Sequence, residues 1–407
     1  MKPNFKSAML AAAQLTAAGN LNAATQAIQR ALAGEEPAAS APAPFRTAGP
    51  DSAGPRGAGP HTDSGNVIDV DARWVEDLQA RLSDVARTAQ SAFDARALRE
   101  PAPGGAGADV GPAARAPAER MLAGRFTAAA GSRDYLLHLP PQAASGRPLS
   151  LVVMLHGCTQ TPADFAAGTA MNELADRHGF VVLYPGQSRT ANHSACWNWF
   201  EPRDQRAGQG EPAIIAGMVR EVIGRYPVAP ERVFVAGLSA GGAMAAILGA
   251  AYPDLFAAVA VHSGLRAGAA SDLQSALAAM KRGAPSAASG AGARIDQAAR
   301  RPVRTIVFHG RQDRTVHPAN GRQVVEAALA AFPATALSSR QESGRSAGGR
   351  SFVRTVHVDG REVPMVEQWE VQGAGHAWSG GRKAGSHTDP LGPDASAAMA
   401  AFFMAQP

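Results

Sequence analysis

A serine stands at the centre of Gly-Leu-Ser-Ala-Gly, residues 237–241, between a β-branched run and an alanine-rich run. The run before it, RVFVAG, predicts a strand, and the run after it, AGGAMAAILGAAY, predicts a helix. Glycines at both ends of the pentapeptide let the backbone turn sharply, so the turn would hold the hydroxyl of Ser239 above the end of the strand. A serine placed in this way can attack a carbonyl carbon when a neighbouring base takes its proton. The competing interpretation is a serine that only caps the helix.

An acid and a histidine follow the serine in the order that such a nucleophile needs. Asp313 lies just beyond the predicted strand VRTIVFHG, and His376 lies in a glycine-rich loop after the predicted strand PMVEQWEVQG. Ligand-facing groups collect at the carboxyl ends of parallel strands. Either residue alone would be interpreted as an ordinary loop side chain. Together they predict a triad in which Ser239 attacks an ester, His376 carries its proton and Asp313 orients the imidazole.

The oxyanion of such a reaction needs hydrogen-bond donors. We expect the backbone N–H groups of Ala240, the residue after the nucleophile, and of Cys158, in the loop HGCTQT, to supply them. The chain has two cysteines, Cys158 and Cys196. They are either two free thiols or one local disulfide, which would brace the oxyanion loop.

Tryptophans near these segments are candidates for the wall of an apolar substrate site. Trp197 and Trp199 lie in SACWNWFEP, and Trp378 follows His376 at a spacing of two residues. The competing interpretation is that all three belong to the core, where tryptophan is commonly found.

Composition narrows the class of protein. The chain has 407 residues, of which 45% are hydrophobic and 18% charged, which is typical of a globular protein. Its net charge of +5 comes mostly from scattered arginines, which argues against a nucleic-acid partner. No apolar run is long enough to cross a bilayer. Neither HExxH nor CxxC occurs, nor a phosphate-binding glycine loop, so we predict no metal and no cofactor.

The pattern of elements predicts the domain organisation. Residues 1–34 carry apolar residues at helical spacing and predict a helical hairpin, and residues 35–118 are rich in Pro, Ala and Gly and predict a disordered linker with one weak helix. In residues 119–407 strands alternate with helices. We therefore expect an α/β catalytic domain with a mostly parallel sheet and helices on both faces.

Residues from about 121 to 405 resemble the short-chain polyhydroxybutyrate depolymerase family of esterases, which also includes feruloyl and acetylxylan esterases. The resemblance rests on LHGCTQTPADF, CWNWF, GLSAGGAM, HGRQDRTV, GAGHAWSGG and SHTDPLGPDAS. It implies an α/β-hydrolase fold, catalytic roles for Ser239, Asp313 and His376, and an oxyanion N–H from Cys158.

The resemblance implies hydrolysis of poly(3-hydroxybutyrate) or its oligomers, with a granule surface as a further partner. One alternative is an esterase of the feruloyl or acetylxylan type, and another is a granule- or partner-binding protein that acts through its N-terminal helices. Gln14 and Thr16 interrupt the first apolar run, which lacks the leucine-rich centre of a signal peptide. We therefore expect a cytoplasmic protein, with a secreted protein as the alternative that a disulfide would favour. The sequence gives no prediction of the oligomeric state.

Overall fold

The structure, a computed structural model, describes residues 120–285, 301–333 and 335–405. These residues lie within one compact unit, Gly107–Pro407. The domain predicted over 119–407 falls inside this unit. The helical hairpin predicted over 1–34 and the linker predicted over 35–118 lie outside the described residues.

Strands and helices alternate through most of the described chain. The strands are β1 (Met121–Ala128), β2 (Gly131–His138), β3 (Leu149–Leu155), β4 (Phe180–Pro185), β5 (Val228–Leu238), β6 (Ala258–His262), β7 (Arg304–Gly310), β8 (Ser338–Arg345), β9 (Ser351–Val358), β10 (Pro364–Val371), β11 (Trp378–Ser379) and β12 (Thr388–Asp389). The helices are α1 (Pro162–Thr169), α2 (Met171–His178), α3 (Gly210–Arg225), α4 (Ala240–Ala251), α5 (Leu273–Arg282), α6 (Ala319–Leu329) and α7 (Ala395–Met404).

Ten of the strands form one sheet in the order β1-β2-β4-β3-β5-β6-β7-β10-β9-β8. The six central strands run parallel to one another, in the order β4-β3-β5-β6-β7-β10. The pairs at the two ends of the sheet are antiparallel. Because parallel strands share one carboxyl edge, the segments that follow β3, β5, β6, β7 and β10 all begin at the same edge of the sheet.

The central strands are buried on both faces. Along β3, Leu151, Val153 and Leu155 pack into one hydrophobic core, and Val152 and Met154 pack into a second core on the other face. This double burial explains why β3 is a continuous apolar run rather than an alternating one. The α/β-hydrolase fold predicted from the sequence is confirmed.

The edges of the fold contain elements that the sequence did not predict. The strands β1, β8 and β9 were not expected, and β8 is almost wholly exposed. α1 and α2 are separated at Ala170, whose φ is +51°. The last helix is capped by Asp394, whose carboxylate accepts a 2.9 Å hydrogen bond from the N–H of Ala397. None of the described helices is long and apolar enough to cross a membrane.

Candidate active site

Ser239 occupies a strained turn between β5 and α4. Its φ is +57° and its ψ is −118°, a combination that residues with a Cβ rarely adopt. The N–H of Ser239 donates a 2.9 Å hydrogen bond to the carbonyl oxygen of His262, at the end of β6. This bond ties the turn to the neighbouring strand, so the serine is fixed at the carboxyl edge of the sheet.

The two glycines of the pentapeptide allow close approach of backbone segments. A Cβ on Gly237 would lie 2.2 Å from the carbonyl oxygen of Gly241, and a Cβ on Gly241 would lie 2.1 Å from the carbonyl oxygen of Leu155. Both distances are far inside van der Waals contact. The elbow therefore packs directly against the end of β3, which carries the loop with Cys158.

We expect Gly241→Ala to destabilise the protein, because its methyl group would overlap the backbone of β3 and force this tight packing apart. The expected loss is about 2–3 kcal/mol of unfolding free energy. Gly224→Ala is the matched control, since Gly224 lies in α3 with nothing within 4 Å of an added Cβ. The control should match or exceed wild-type stability, because alanine favours helix. Urea unfolding of the three proteins measures the difference, and equal stability of the two variants would contradict the packing argument.

Asp313 and His376 are in direct contact. Oδ2 of Asp313 lies 2.7 Å from Nδ1 of His376, and the Asp313 side chain is fully buried. Its other oxygen, Oδ1, accepts hydrogen bonds of 2.9 Å and 2.8 Å from the N–H groups of Thr315 and Val316. A carboxylate held in this way can fix the orientation and the tautomer of the imidazole.

The loops that carry the acid and the histidine are packed on each other. A Cβ on Gly310, the last residue of β7, would lie 2.5 Å and 2.6 Å from the carbonyl oxygens of Ala374 and Gly375. The N–H of Gln312 donates a 2.9 Å hydrogen bond to the same carbonyl of Ala374. Glycine at position 310 is therefore required for the loop after β10 to reach the loop after β7.

The surroundings of Asp313 keep it ionised. Burial alone would raise the pKa of Asp313, but the neighbouring rings of His309 and His376 outweigh burial and hold that pKa well below its ordinary range. A permanently charged acid can stabilise an imidazolium at His376 during a proton transfer.

Ser239 lies at the same sheet edge as the acid–histidine pair. β5, which precedes Ser239, is separated only by β6 from β7, which precedes Asp313. The part of the chain that the structure describes contains no hydrogen bond between the Ser239 hydroxyl and His376. Nucleophile–base hydrogen bonds are often long in free enzymes and shorten when substrate binds.

The two expected oxyanion donors lie on adjoining segments. Ala240 is the first residue of α4, and the loop with Cys158 contacts the elbow, since a Cβ on Gly157 would lie 3.5 Å from the carbonyl oxygen of Leu238. Among the turn, loop and cap hydrogen bonds of the described residues, the N–H of Cys158 and the N–H of Ala240 do not appear as donors. The positive end of the α4 dipole also favours negative charge there.

The two cysteines form a disulfide. Cys158 and Cys196 are joined across 38 positions of sequence. The same loop is fixed by a 2.7 Å hydrogen bond from the N–H of Thr159 to the carbonyl oxygen of Ser194. The loop after β3 is therefore cross-linked to the segment that precedes α3.

A buried polar cluster, which the sequence did not predict, holds the Cys196 segment. The Glu211 carboxylate, at the start of α3, accepts hydrogen bonds of 2.7 Å and 2.8 Å from the backbone and side chain of Asn198, and it pairs with Arg133 at 3.1 Å. Gln187 donates to Glu211 and also to the carbonyl oxygen of Cys196, at 2.8 Å. Burial raises the pKa of Glu211. These contacts join residues far apart in sequence, so no local pattern reveals them.

The three tryptophans are core residues, which corrects their interpretation as substrate walls. Trp197 is 0% exposed, Trp378 1% and Trp199 5%. The indole N–H of Trp197 donates to the carbonyl oxygen of His156 at 3.0 Å, and that of Trp378 donates to the hydroxyl of Ser396 at 3.0 Å. The indole N–H groups of Trp197 and Trp378 are satisfied inside the protein, and the burial of all three side chains leaves little surface for substrate.

A second buried histidine lies behind the elbow. The carbonyl oxygen of His262 accepts from Ser239, and its ring nitrogen Nε2 accepts a 2.9 Å hydrogen bond from the N–H of Ser379. The ring stacks between Phe308 and Trp378. A bare Nε2 facing an N–H donor requires the neutral ring.

This burial predicts a loss of stability in acid. Burial of the ring lowers the pKa of His262 to about 3. The unfolded chain takes up a proton near pH 6.5. Stability is therefore present above this pH and falls as the pH drops from 6.5 towards 3, by up to about 1.4 kcal/mol per pH unit. We expect His262→Gln to reduce this slope in unfolding titrations. The exposed His178 provides the control, and an equal slope reduction in His178→Gln would contradict the assignment.

No group of three or more His, Cys, Asp or Glu side chains among the described residues could hold a metal ion.

Comparison with known proteins decides the family. A family model described as "Esterase PHB depolymerase" matches residues 133–344, just over half of the chain. The chain belongs to this family. The match spans the strands and loops that carry Cys158, Ser239 and Asp313, and it ends before the loop of His376.

Relatives of this chain have several names. Poly(3-hydroxyalkanoate) depolymerase C of Paucimonas lemoignei is 34% identical over 250 residues, which cover 60% of this chain and 58% of that protein. Feruloyl esterase B of Neurospora crassa is 39% identical over 127 residues, which cover 30% of this chain and 42% of that protein. Among solved structures, the acetyl xylan esterase from Aspergillus awamori matches 60% of this chain and 89% of its own, with 23% identity and a TM-score of 0.46. The chain thus spans about half the length of the named sequence relatives.

Proposed function

We propose that this protein is a serine esterase that hydrolyses poly(3-hydroxybutyrate) or its oligomers. Ser239 is the nucleophile, His376 the general base and acid, and Asp313 the residue that orients the imidazole. The observation that carries the proposal is the buried contact between Asp313 and His376 at the sheet edge where the strained Ser239 turn stands. Membership of an esterase family supports the same chemistry.

The reaction has two halves. Oγ of Ser239 bonds to the ester carbonyl carbon while Nε2 of His376 takes its proton, and the carbonyl oxygen becomes an oxyanion held by the N–H groups of Cys158 and Ala240. The ester C–O bond then breaks, and the imidazolium returns its proton to the departing alkoxide. A water molecule repeats the sequence on the acyl-enzyme, which releases the acid and restores Ser239.

The names of the relatives support two substrate classes. The depolymerase relative covers the larger share of this chain, which favours the polyester. The feruloyl and acetylxylan esterase relatives favour aryl or acetyl esters of plant polysaccharide as the second candidate.

The disulfide bears on where the protein acts. Disulfides persist in oxidising compartments and are rare in the cytosol. The pair Cys158–Cys196 therefore supports the exported alternative, and the cytoplasmic location expected from the N-terminal residues is not supported.

The experiment measures the release of soluble 3-hydroxybutyrate from amorphous poly(3-hydroxybutyrate) granules. Wild-type protein should release it, and Ser239→Ala should release none above background, because the variant has no nucleophile. Hydrolysis of p-nitrophenyl butyrate and of methyl ferulate by the same two proteins is measured in parallel.

The outcomes separate the proposals. Serine-dependent cleavage of methyl ferulate without release from granules would replace the polyester by the plant-ester class. Hydrolysis of any of these esters at equal rates by wild type and Ser239→Ala would overturn the triad. Granule binding without hydrolysis of any ester would favour a granule-binding protein.

A further inference from the structure

His309 is a buried histidine that the proposed reaction does not use. It is the penultimate residue of β7, four positions before Asp313, and its side chain is 2% exposed. Burying a ring that carries two polar nitrogens is unfavourable unless the nitrogens have partners. Its contacts therefore indicate what the ring does at this position.

The surroundings of His309 fix its tautomer. Nε2 lies 2.8 Å from the carbonyl oxygen of Val316, which can only accept, so Nε2 carries the proton. Nδ1 has no hydrogen-bond partner in the described part of the chain. A Cβ on Gly321, in α6, would lie 2.5 Å from Nδ1, so the helix backbone covers this nitrogen. A proton on Nδ1 would be a buried N–H without an acceptor, so the tautomer with the proton on Nε2 is favoured.

The Nε2–H of His309 donates to the Val316 carbonyl, and the same ring nitrogen lies beside the acid of the proposed triad. Nε2 lies 3.4 Å from Oδ2 of Asp313, the oxygen that also faces Nδ1 of His376 at 2.7 Å. Val316 closes the arrangement, since its carbonyl accepts from His309 while its N–H donates to Oδ1 of Asp313 at 2.8 Å. The ring thus contacts the carboxylate directly and also fixes the backbone that binds its other oxygen.

We propose that His309 is a positioning residue for Asp313: its Nε2–H fixes the backbone of Val316, whose own N–H holds Oδ1 of Asp313 so that Oδ2 faces His376. The inference rests on the proposed triad. Without the ring, the Val316 carbonyl loses its donor, so the backbone that binds Oδ1 is less restrained, and Oδ2 loses the ring that lies 3.4 Å away. The carboxylate can then rotate away from His376, and the imidazole loses the acceptor that orients it for proton transfer.

The test compares His309→Leu, which removes the N–H, with His309→Gln, whose side-chain amide offers an N–H at similar reach. In His309→Leu we expect kcat for p-nitrophenyl butyrate to fall about 10- to 100-fold, the effect of leaving one buried acceptor, the Val316 carbonyl, without its donor, with KM within twofold of wild type. His309→Gln should recover most of the loss. The downfield proton resonance of His376 Nδ1–H should be present in wild type and in His309→Gln and should shift or broaden in His309→Leu.

His138→Leu is the matched control. His138 is also buried, at 3% exposure, and its Nε2 lies 2.8 Å from a carboxylate oxygen of Asp176. It belongs to β2, which four other strands of the sheet separate from β7. Its loss should lower thermal stability and leave kcat unchanged.

Three results would overturn the positioning role. These are an unchanged kcat in His309→Leu, an equal fall of kcat in His309→Leu and His309→Gln, or a change of KM without a change of kcat in His309→Leu. The resonance separates this inference from the proposed function. If wild type hydrolyses no ester, the proposed function fails. The role of His309 is then rejected only if the His376 Nδ1–H resonance is unaltered in His309→Leu.

Discussion

Replacement of Asp313 by asparagine is expected to lower kcat for p-nitrophenyl butyrate by about 10⁴-fold. Oδ2 of Asp313 faces two ring nitrogens, Nδ1 of His376 and Nε2 of His309. Its other oxygen accepts from two backbone N–H groups. A carboxylate can accept on both sides, whereas an asparagine amide must present an NH₂ group on one of them.

Either orientation of the amide damages the site. If the NH₂ group faces His376, Nδ1 must accept and the ring proton moves to Nε2, the atom that should take the proton of Ser239. If it faces the backbone donors instead, two N–H groups lose their acceptor and the loop after β7 is destabilised. The first orientation removes the base and the second disturbs the loop that carries residue 313, while the fold of the sheet is retained in both. Michaelis–Menten kinetics together with circular dichroism measure the two effects separately.

Asp272→Asn is the matched control for this change. Asp272 caps α5 through a 2.7 Å hydrogen bond from the N–H of Ser275, and asparagine caps helices equally well. The variant should keep the wild-type kcat. A kcat of Asp313→Asn within tenfold of wild type would remove Asp313 from the triad.

The sequence predicted the parts of this fold that depend on local signals. The central strands β3, β5, β6 and β7 contain short apolar runs because both faces of the central sheet are covered. The elbow at Ser239 could be predicted because Gly-Leu-Ser-Ala-Gly is a short local motif. Its glycines permit the backbone to approach itself and Leu155 closely. The order serine, acid, histidine is also readable from the sequence, because each residue follows its own strand.

Other parts of the fold could not be predicted because their cause is not local. β8 carries exposed polar residues on both faces, so it has neither an apolar run nor an alternating pattern. It is a strand because it pairs with β9. The sequence also cannot distinguish a tryptophan in the core from one on the surface. Trp378 is buried because its indole N–H finds Ser396 on α7, a contact that only the folded chain creates.

The supporting residues of the candidate site were missed for the same reason. His309 was interpreted only as part of a strand, since its contacts with Asp313 and Val316 need the loop after β7 to fold back. Glu211 gave no signal at all, although it binds the segment that carries Cys196. Residues that attack or carry protons have recognisable types and spacing in the sequence. Residues that position them are identified only by their distances in the folded structure.

Removal of the disulfide by Cys158→Ser/Cys196→Ser is expected to lower both stability and activity. The bridge closes a loop of 38 positions, and its loss should cost about 4 kcal/mol of unfolding free energy by chain entropy. Serine keeps the backbone N–H of residue 158, so the oxyanion donor is still present. The loop that positions this donor is less restrained, and kcat should fall by up to about 100-fold, the lower bound for complete loss of one donor.

The polar cluster at Glu211 limits this loss. Glu211 and Gln187 hold the Cys196 segment independently of the bridge, so the double variant should still fold. Because both anchors act on the same segment, adding Glu211→Gln to the double variant should lower kcat by more than the separate effects combined. Guanidinium unfolding and kcat for p-nitrophenyl butyrate, each with and without a thiol-free phosphine reductant, measure these effects. Reductant should bring wild type to the level of the double variant and leave the double variant unchanged. Wild-type kcat that is insensitive to complete reduction would show that the loop after β3 positions its N–H without the bridge.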